Sequence, residues 1–169
     1  PAGPIIDRLA KLGNKDAFQF NKPRIENYNY SFSGIKTSVL YFIQKEVQKN
    51  PDFIAENLND LCASVQKTLV EILMNKLEKA AKELNINEVA IAGGVSANSG
   101  LREAMQKNAE KLGWNIYIPK FEYTTDNAAM IAMVAKLKFD RGEFTDLSVS
   151  ATSRYDIEES FKKEVVIKD

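Results

Sequence analysis

The chain has 169 residues, 44% of them apolar, with 23 acidic and 23 basic side chains and no histidine. That suffices for one domain with a real core, while zero formal charge argues against nucleic-acid binding by a uniformly basic surface and leaves only a local patch. Lack of histidine excludes serine–histidine triads and imidazole-ligated metal sites built from this chain alone. The single cysteine, Cys62, rules out an internal disulfide and fits a reducing, cytoplasmic setting. No apolar run approaches the roughly 20 residues of a membrane helix, and no signal peptide is visible.

The chain opens on Pro1-Ala2-Gly3-Pro4 with neither an initiator Met nor an N-terminal strand, and reads as a piece of a longer protein. Pro4 predicts a helix through Leu12, closed by Gly13. Asn14 to Asn29 is polar with scattered aromatics and reads as loop. Tyr28-Asn29-Tyr30-Ser31-Phe32 alternates and fits a short strand. Ser33-Gly34 opens a second helix carrying Val39, Leu40, Ile43 and Val47, ending before Pro51. Leu58, Leu61, Val65, Leu69, Ile72, Leu73, Leu77, Ala80, Ala81 and Leu84 then step by threes and fours, the pattern of a long helix with one buried face. Cys62 lies on that stripe, where a thiol serves as a small buried apolar group.

After Asn85 the pattern changes. Glu88 to Ala92 reads as a strand, Ser99 to Leu112 as a helix, and Asn115 to Ile118 as a second strand stopped by Pro119. Thr125 to Phe139 reads as a helix apolar on most sides and therefore buried, ending near Arg141-Gly142. The expected organisation is a mainly helical region over 1–86, a β-α-β-α unit over 87–150 and a tail over 151–169, together one lobe of a longer protein.

Two strands joined by one helix are normally parallel, so their C-terminal ends share one sheet edge. The loops Gly93–Asn98 and Pro119–Asp126 should leave that edge together, where open α/β sheets hold ligands. Glycine lets backbone lie against a ligand, and unpaired N–H groups at helix starts suit anions. The expectation is a nucleotide or phosphate crevice. Each feature also has a simpler account. Asn98 and Thr125 serve as helix caps, Asp126 suits a first helical turn, and Gly93-Gly94 serves as a turn. A carboxylate in a phosphate crevice calls for a bridging cation, which makes Asp126 a candidate metal ligand. No Gly-Lys-Ser/Thr follows the glycines, so this is not a Walker A loop. Lys22, Arg24, Lys36, Lys45 and Lys49 could form a patch facing nucleic acid or simply a solvated surface. Tyr28, Tyr30 and Phe32 suit packing better than base stacking.

Three segments together resemble a known family: Ser31-Phe32-Ser33-Gly34-Ile35-Lys36-Thr37, Ala92-Gly93-Gly94-Val95-Ser96-Ala97-Asn98 and Thr125-Asp126-Asn127-Ala128-Ala129-Met130. The family is TsaD, the tRNA N6-adenosine threonylcarbamoyltransferases, formerly called O-sialoglycoprotein endopeptidases or glycoproteases. Pro1-Ala2-Gly3-Pro4 is similar to its Pro-Gly-Gly-Pro segment with one glycine replaced. Only the C-terminal half of a typical member is covered. The resemblance implies an α/β fold, one lobe of an actin-like, Hsp70-like ATPase (ASKHA) fold with a helical insertion. It implies transfer of a threonylcarbamoyl group from threonylcarbamoyl-AMP to N6 of adenosine 37 in tRNAs reading ANN codons.

By the same resemblance Gly3, Gly93, Gly94 and Asn98 would contact the adenylate (or ATP/ADP). Asp126 would be a ligand of one divalent ion, Fe²⁺ or Zn²⁺, whose partner histidines this chain lacks. Lys36 is a candidate phosphate or tRNA contact, or a solvated helix-start lysine, and no general base is identifiable. The implied partners are tRNA, a paralogous TsaB-like subunit and a TsaE-like ATPase, the subunits docking mainly on the half not covered; no membrane is involved. The alternative is a non-catalytic nucleotide-binding or partner-binding module of the same superfamily. A sugar- or acetate-kinase relative is disfavoured by the Thr-Asp-Asn-Ala-Ala-Met segment, and a protease by the absence of any nucleophile–base pair. By itself the chain should hold no stable metal and catalyse no transfer.

Overall fold

In a computed structural model the described residues are 2–23, 25–151 and 153. Arg24 of the basic patch, and all of the tail over 151–169 except residues 151 and 153, lie outside them. Two compact units divide after Asp126. In the first, α1 (Ala2–Ala10), α2 (Ser33–Lys49) and α3 (Phe53–Leu84) precede β1 (Glu88–Ala90), α4 (Ser99–Leu112) and β2 (Asn115–Tyr117). Short 3₁₀ turns at Gly94–Ala97 and Phe121–Tyr123 follow the two strands. The second unit carries α5 (Ala128–Asp140).

The 32 residues of α3 make an axis about 48 Å long. Its course bends at Asn57 (φ −119°, ψ 15°), whose side chain donates to the carbonyl of Phe53 at 2.9 Å. It stops at Asn85, which takes a left-handed conformation (φ 53°), and the N–H of Ile86 closes back on the Ala81 carbonyl at 2.9 Å. α1 and the loop after it lie along α3. Gly13 makes this approach feasible: a Cβ there would stand 2.1 Å from the Asn59 carbonyl oxygen. Beyond Gly13 the loop is pinned by Asn14 N–H to Asp60 Oδ1 at 2.7 Å and Phe18 N–H to Ser64 Oγ at 3.1 Å. Phe18, Phe20, Phe42 and Phe53 then form an aromatic cluster joining loop, α2 and α3, with ring centroids 5.2 to 5.9 Å apart.

The alternation at Tyr28–Phe32 does not become a strand. A strand needs a neighbour to take its backbone groups, and this segment meets a helix instead. The Tyr28 hydroxyl donates to Glu83 at 2.8 Å, the Tyr30 hydroxyl to the Leu73 carbonyl at 3.3 Å, and the Tyr30 ring stacks on Phe32 at 5.9 Å. The aromatics therefore pack.

β1 and β2 are parallel, with Glu88, Val89 and Ala90 opposite Asn115, Ile116 and Tyr117. Both are shorter than their apolar runs predict, although Ile91 N–H still bonds the Tyr117 carbonyl at 3.1 Å. Val89 turns inward to a core made with Met74 and Ala81 of α3, Leu101 and Met105 of α4, and Trp114. Met105 is wholly buried. This core crosses residue 86, so the helical region and the β-α-β segment pack as one body. This first unit runs to Asp126.

α5 departs from expectation twice. It starts at Ala128 rather than Thr125, because Asn127 is the cap and accepts from Met130 N–H at 3.2 Å. None of its residues is buried, with Ile131 74% and Phe139 65% exposed. A helix apolar on most sides needs neighbours on most sides. Within its own unit the described cover includes an edge contact of Phe139 with Phe144 at 5.7 Å.

Candidate functional site

The first loop is shaped by Gly93. Its φ of 74° with ψ of −179° belongs to a region essentially reserved for glycine, and a Cβ would meet nothing within 4 Å. The residue is therefore demanded by backbone conformation and not by crowding. The turn that follows is locked from beneath. Buried Ser96 directs both its N–H (3.0 Å) and its hydroxyl (2.7 Å) to the Gly93 carbonyl. Gly93 and Gly94 are both exposed, so the loop presents bare backbone to solvent.

Asn98 caps α4: its Oδ1 accepts from Leu101 N–H at 2.9 Å, and its Nδ2 donates to Gln66 Oε1 of α3 at 2.9 Å. The capping role weighed from sequence is thus real. It leaves Asn98 one amide proton and one lone pair, since a carboxamide offers two of each. Asp7 of α1 accepts from both the N–H (3.0 Å) and the hydroxyl (2.8 Å) of Ser99. The start of α4 is therefore clamped to α1 and α3. Gly3, exposed and with open space where a Cβ would stand, lies about 6 Å along the α1 axis from Asp7. The opening segment and the Asn98 cap are brought to one region.

The second loop leaves β2 at the same edge, as parallel pairing requires, and Arg102 joins the two. Its Nε donates to the Ser96 carbonyl at 2.6 Å and an Nη to the Pro119 carbonyl at 2.8 Å. Beyond Pro119 the 3₁₀ turn is held by buried Thr124, whose hydroxyl donates to the Phe121 carbonyl at 2.8 Å. Asp126 follows, exposed, as the last residue of the first unit.

Lys36 stands exposed in the first turn of α2, which packs on α3, so it sits on a different element from both loops. Lys22 and Lys49 of the basic patch pair with Glu71 (2.5 Å) and Glu46 (2.6 Å). A groove of about 300 Å³ runs beside the α4 start between α1, α3 and α4, lined by Lys11, Gln66, Lys67, Ser99, Glu103 and Lys107 among others; Gly93, Gly94 and Asp126 are not among its walls. Three of its lysines are met by carboxylates: Lys67 by Asp16, Lys107 by Glu103 (2.6 Å) and Lys11 by Asp7 (3.9 Å).

Donor chemistry decides what the chain can do with a metal. Among the described residues no three carboxylates or thiols cluster, and the sequence has no histidine. One exposed carboxylate does not make a site for a divalent ion, so these residues alone do not fit the iron or zinc that the resemblance implies. Cys62 is no substitute. It is buried, and burial pushes its thiol pKa up, away from the thiolate that binds metal.

Asp7, Gln66 and Arg102 escaped the sequence reading. Only Arg102 carried a signal, a cation in the first turn of a helix whose N-terminal end disfavours it.

A family model described as TsaD, tRNA N6-adenosine threonylcarbamoyltransferase, matches residues 1–133. Proteins named tRNA N6-adenosine threonylcarbamoyltransferase are similar throughout. The one from Riemerella anatipestifer is 71% identical over 157 residues, covering 93% of this chain and 46% of the relative. Those from Phocaeicola vulgatus (57%, covering 93% and 46%) and Christiangramia forsetii (54%, covering 92% and 46%) follow. The chain spans about half the length of the curated relatives it matches. With its motif loops gathered at one sheet edge and the family model matched over most of its length, the chain belongs to the TsaD family.

Proposed function

We propose that the chain is the C-terminal part of a tRNA N6-adenosine threonylcarbamoyltransferase and supplies one wall of its nucleotide cleft, as a lobe of the actin-like fold. The observation that carries the reading is the parallel pairing of β1 and β2, which puts the diglycine loop and the loop leading to Asp126 on one edge. Antiparallel strands would have sent them to opposite edges.

In this reading the exposed Gly93–Gly94 backbone lies against threonylcarbamoyl-AMP, Asn98 uses its spare amide proton or lone pair on the nucleotide, and Gly3 approaches from α1. The adenosine N6 amine attacks the carbamoyl carbonyl, the new C–N bond forms, the bond to the AMP phosphate oxygen breaks, and the amine proton is lost. Asp126 would supply one carboxylate to an iron or zinc centre, which needs further ligands that the described residues do not group with it. Lys36, exposed on α2, would meet phosphate or tRNA from an element other than the two loops. The tRNA, a TsaB-like paralogue and a TsaE-like ATPase are the partners. Among the described residues no helix is long and apolar enough to cross a membrane, and the proposed setting is the cytoplasm.

The test uses the full-length protein that carries this segment. Asp126→Ala should abolish threonylcarbamoyladenosine in tRNA, measured by mass spectrometry; unchanged levels would remove Asp126 from the mechanism. The alternative of a silent nucleotide-binding module applies to the chain in isolation, and the lack of a clustered metal-ligand set among its described residues favours it there.

A further inference from the structure

We infer that Arg102 is a positioning residue that sets the distance between the two walls of the nucleotide site. The inference rests on the functional reading above and extends it to a residue that touches neither reacting partner.

Three observations carry it. The guanidinium ties two loop carbonyls, at 2.6 Å on Ser96, six residues before it, and 2.8 Å on Pro119, 17 residues after it. Each carbonyl belongs to a different loop at the shared edge of β1 and β2. On the first side the tie continues into the loop itself, because Ser96 holds the Gly93 carbonyl through both its N–H and its hydroxyl. On the second side Pro119 immediately precedes the short turn leading through Thr124 to Asp126.

The placement is electrostatically awkward, since a cation in the first turn of α4 faces the positive end of the helix dipole. Two charge-assisted hydrogen bonds, directed by a planar fork, outweigh that disadvantage. Removing them does not uncover a hole in the core, because Leu101 and Met105 on the same helix do the packing. What is lost is the fixed separation of the diglycine backbone from the segment carrying Asp126. A ligand held by both loops then binds each less well. A lysine cannot reproduce the tie: its ammonium is a point charge, not a fork that meets two carbonyls in one plane.

The experiment measures transfer kinetics of the full-length protein with threonylcarbamoyl-AMP as the varied substrate, for the parent, Arg102→Gln and Arg102→Lys. Circular dichroism and thermal melts run alongside. With cooperative folding retained, both variants should raise KM for the adenylate about tenfold and lower kcat/KM about a hundredfold. Arg102→Lys keeps the charge and the aliphatic stem, so it preserves the readout should the glutamine variant fold poorly.

Restoration of parental KM by lysine would mean that charge alone matters, and would overturn the positioning role. Variants that lose folded protein or kcat while KM stays parental would reduce Arg102 to a structural residue, with the same consequence. A parent that transfers nothing under conditions where a full-length relative is active would instead overturn the functional reading, and this inference with it.

Discussion

Gly93→Ala tests whether the first loop is held by backbone conformation. The native φ of 74° with ψ of −179° is one that a residue with a Cβ populates only under strain. A Cβ at this position meets nothing within 4 Å, so steric overlap contributes nothing to the cost. The expected loss is the conformational term alone, about 1–3 kcal/mol. The chain can bear it as strain, or relax the loop by giving up the two bonds from Ser96 to the Gly93 carbonyl. Gly94→Ala is the internal control. It also has open space, but no positive φ, so its cost should stay near a few tenths of a kcal/mol. Thermal melts of the 169-residue chain should show Gly93→Ala lowered by roughly 2–4 °C per kcal/mol and Gly94→Ala close to the parent. Equal melting of Gly93→Ala and the parent, or an equal drop in both variants, would refute the argument from conformation. If the proposed site is right, both alanines in the full-length protein should impair adenylate binding, since a methyl group would then stand where the proposed ligand lies on bare backbone.

The remaining expectations use the same chain. Asn98→Ala removes the α4 cap and the bond to Gln66 and should cost about 1 kcal/mol in denaturant unfolding; Asn98→Asp, which keeps the cap acceptor, should recover most of it. Glu88 accepts from Asn115 and Tyr117, each at 2.6 Å, and these bonds hold its carboxyl below the ordinary 4.5. A depressed folded pKa means stability present above the unfolded value and lost as pH falls through the folded one. The acid limb of the stability profile should therefore flatten in Glu88→Gln. The same contact raises the Tyr117 hydroxyl above 10.0, so its contribution is present below pH 10 and lost as the phenol ionises at higher pH; Tyr117→Phe should remove that alkaline loss. Calorimetric titration of the isolated chain with Zn²⁺ should show nothing tighter than about micromolar, as expected where the described residues hold no clustered ligand set; a tighter site abolished by Asp126→Ala would reverse that conclusion.

Local chemistry written into the sequence located the helices and the parallel strand pair of the first unit. Periodicity placed the long helix, and an apolar run ending in two glycines marked the strand that opens the site. Gly93 and Asn98 were legible because a positive φ and a helix cap favour those residue types whatever surrounds them. Three things depended on what lies far away in the chain. Tyr28–Phe32 alternates like a strand, yet its hydroxyls reach α3, because a strand forms only where another can take its hydrogen bonds. The helical region and the β-α-β segment share one core, because Val89 and Trp114 complete what Met74 begins. The tie between the two loops exists only because the parallel pair brings Pro119 within reach of a side chain on the intervening helix. A sequence states which atoms can donate and accept, whereas only the packed backbone selects which distant partners they meet.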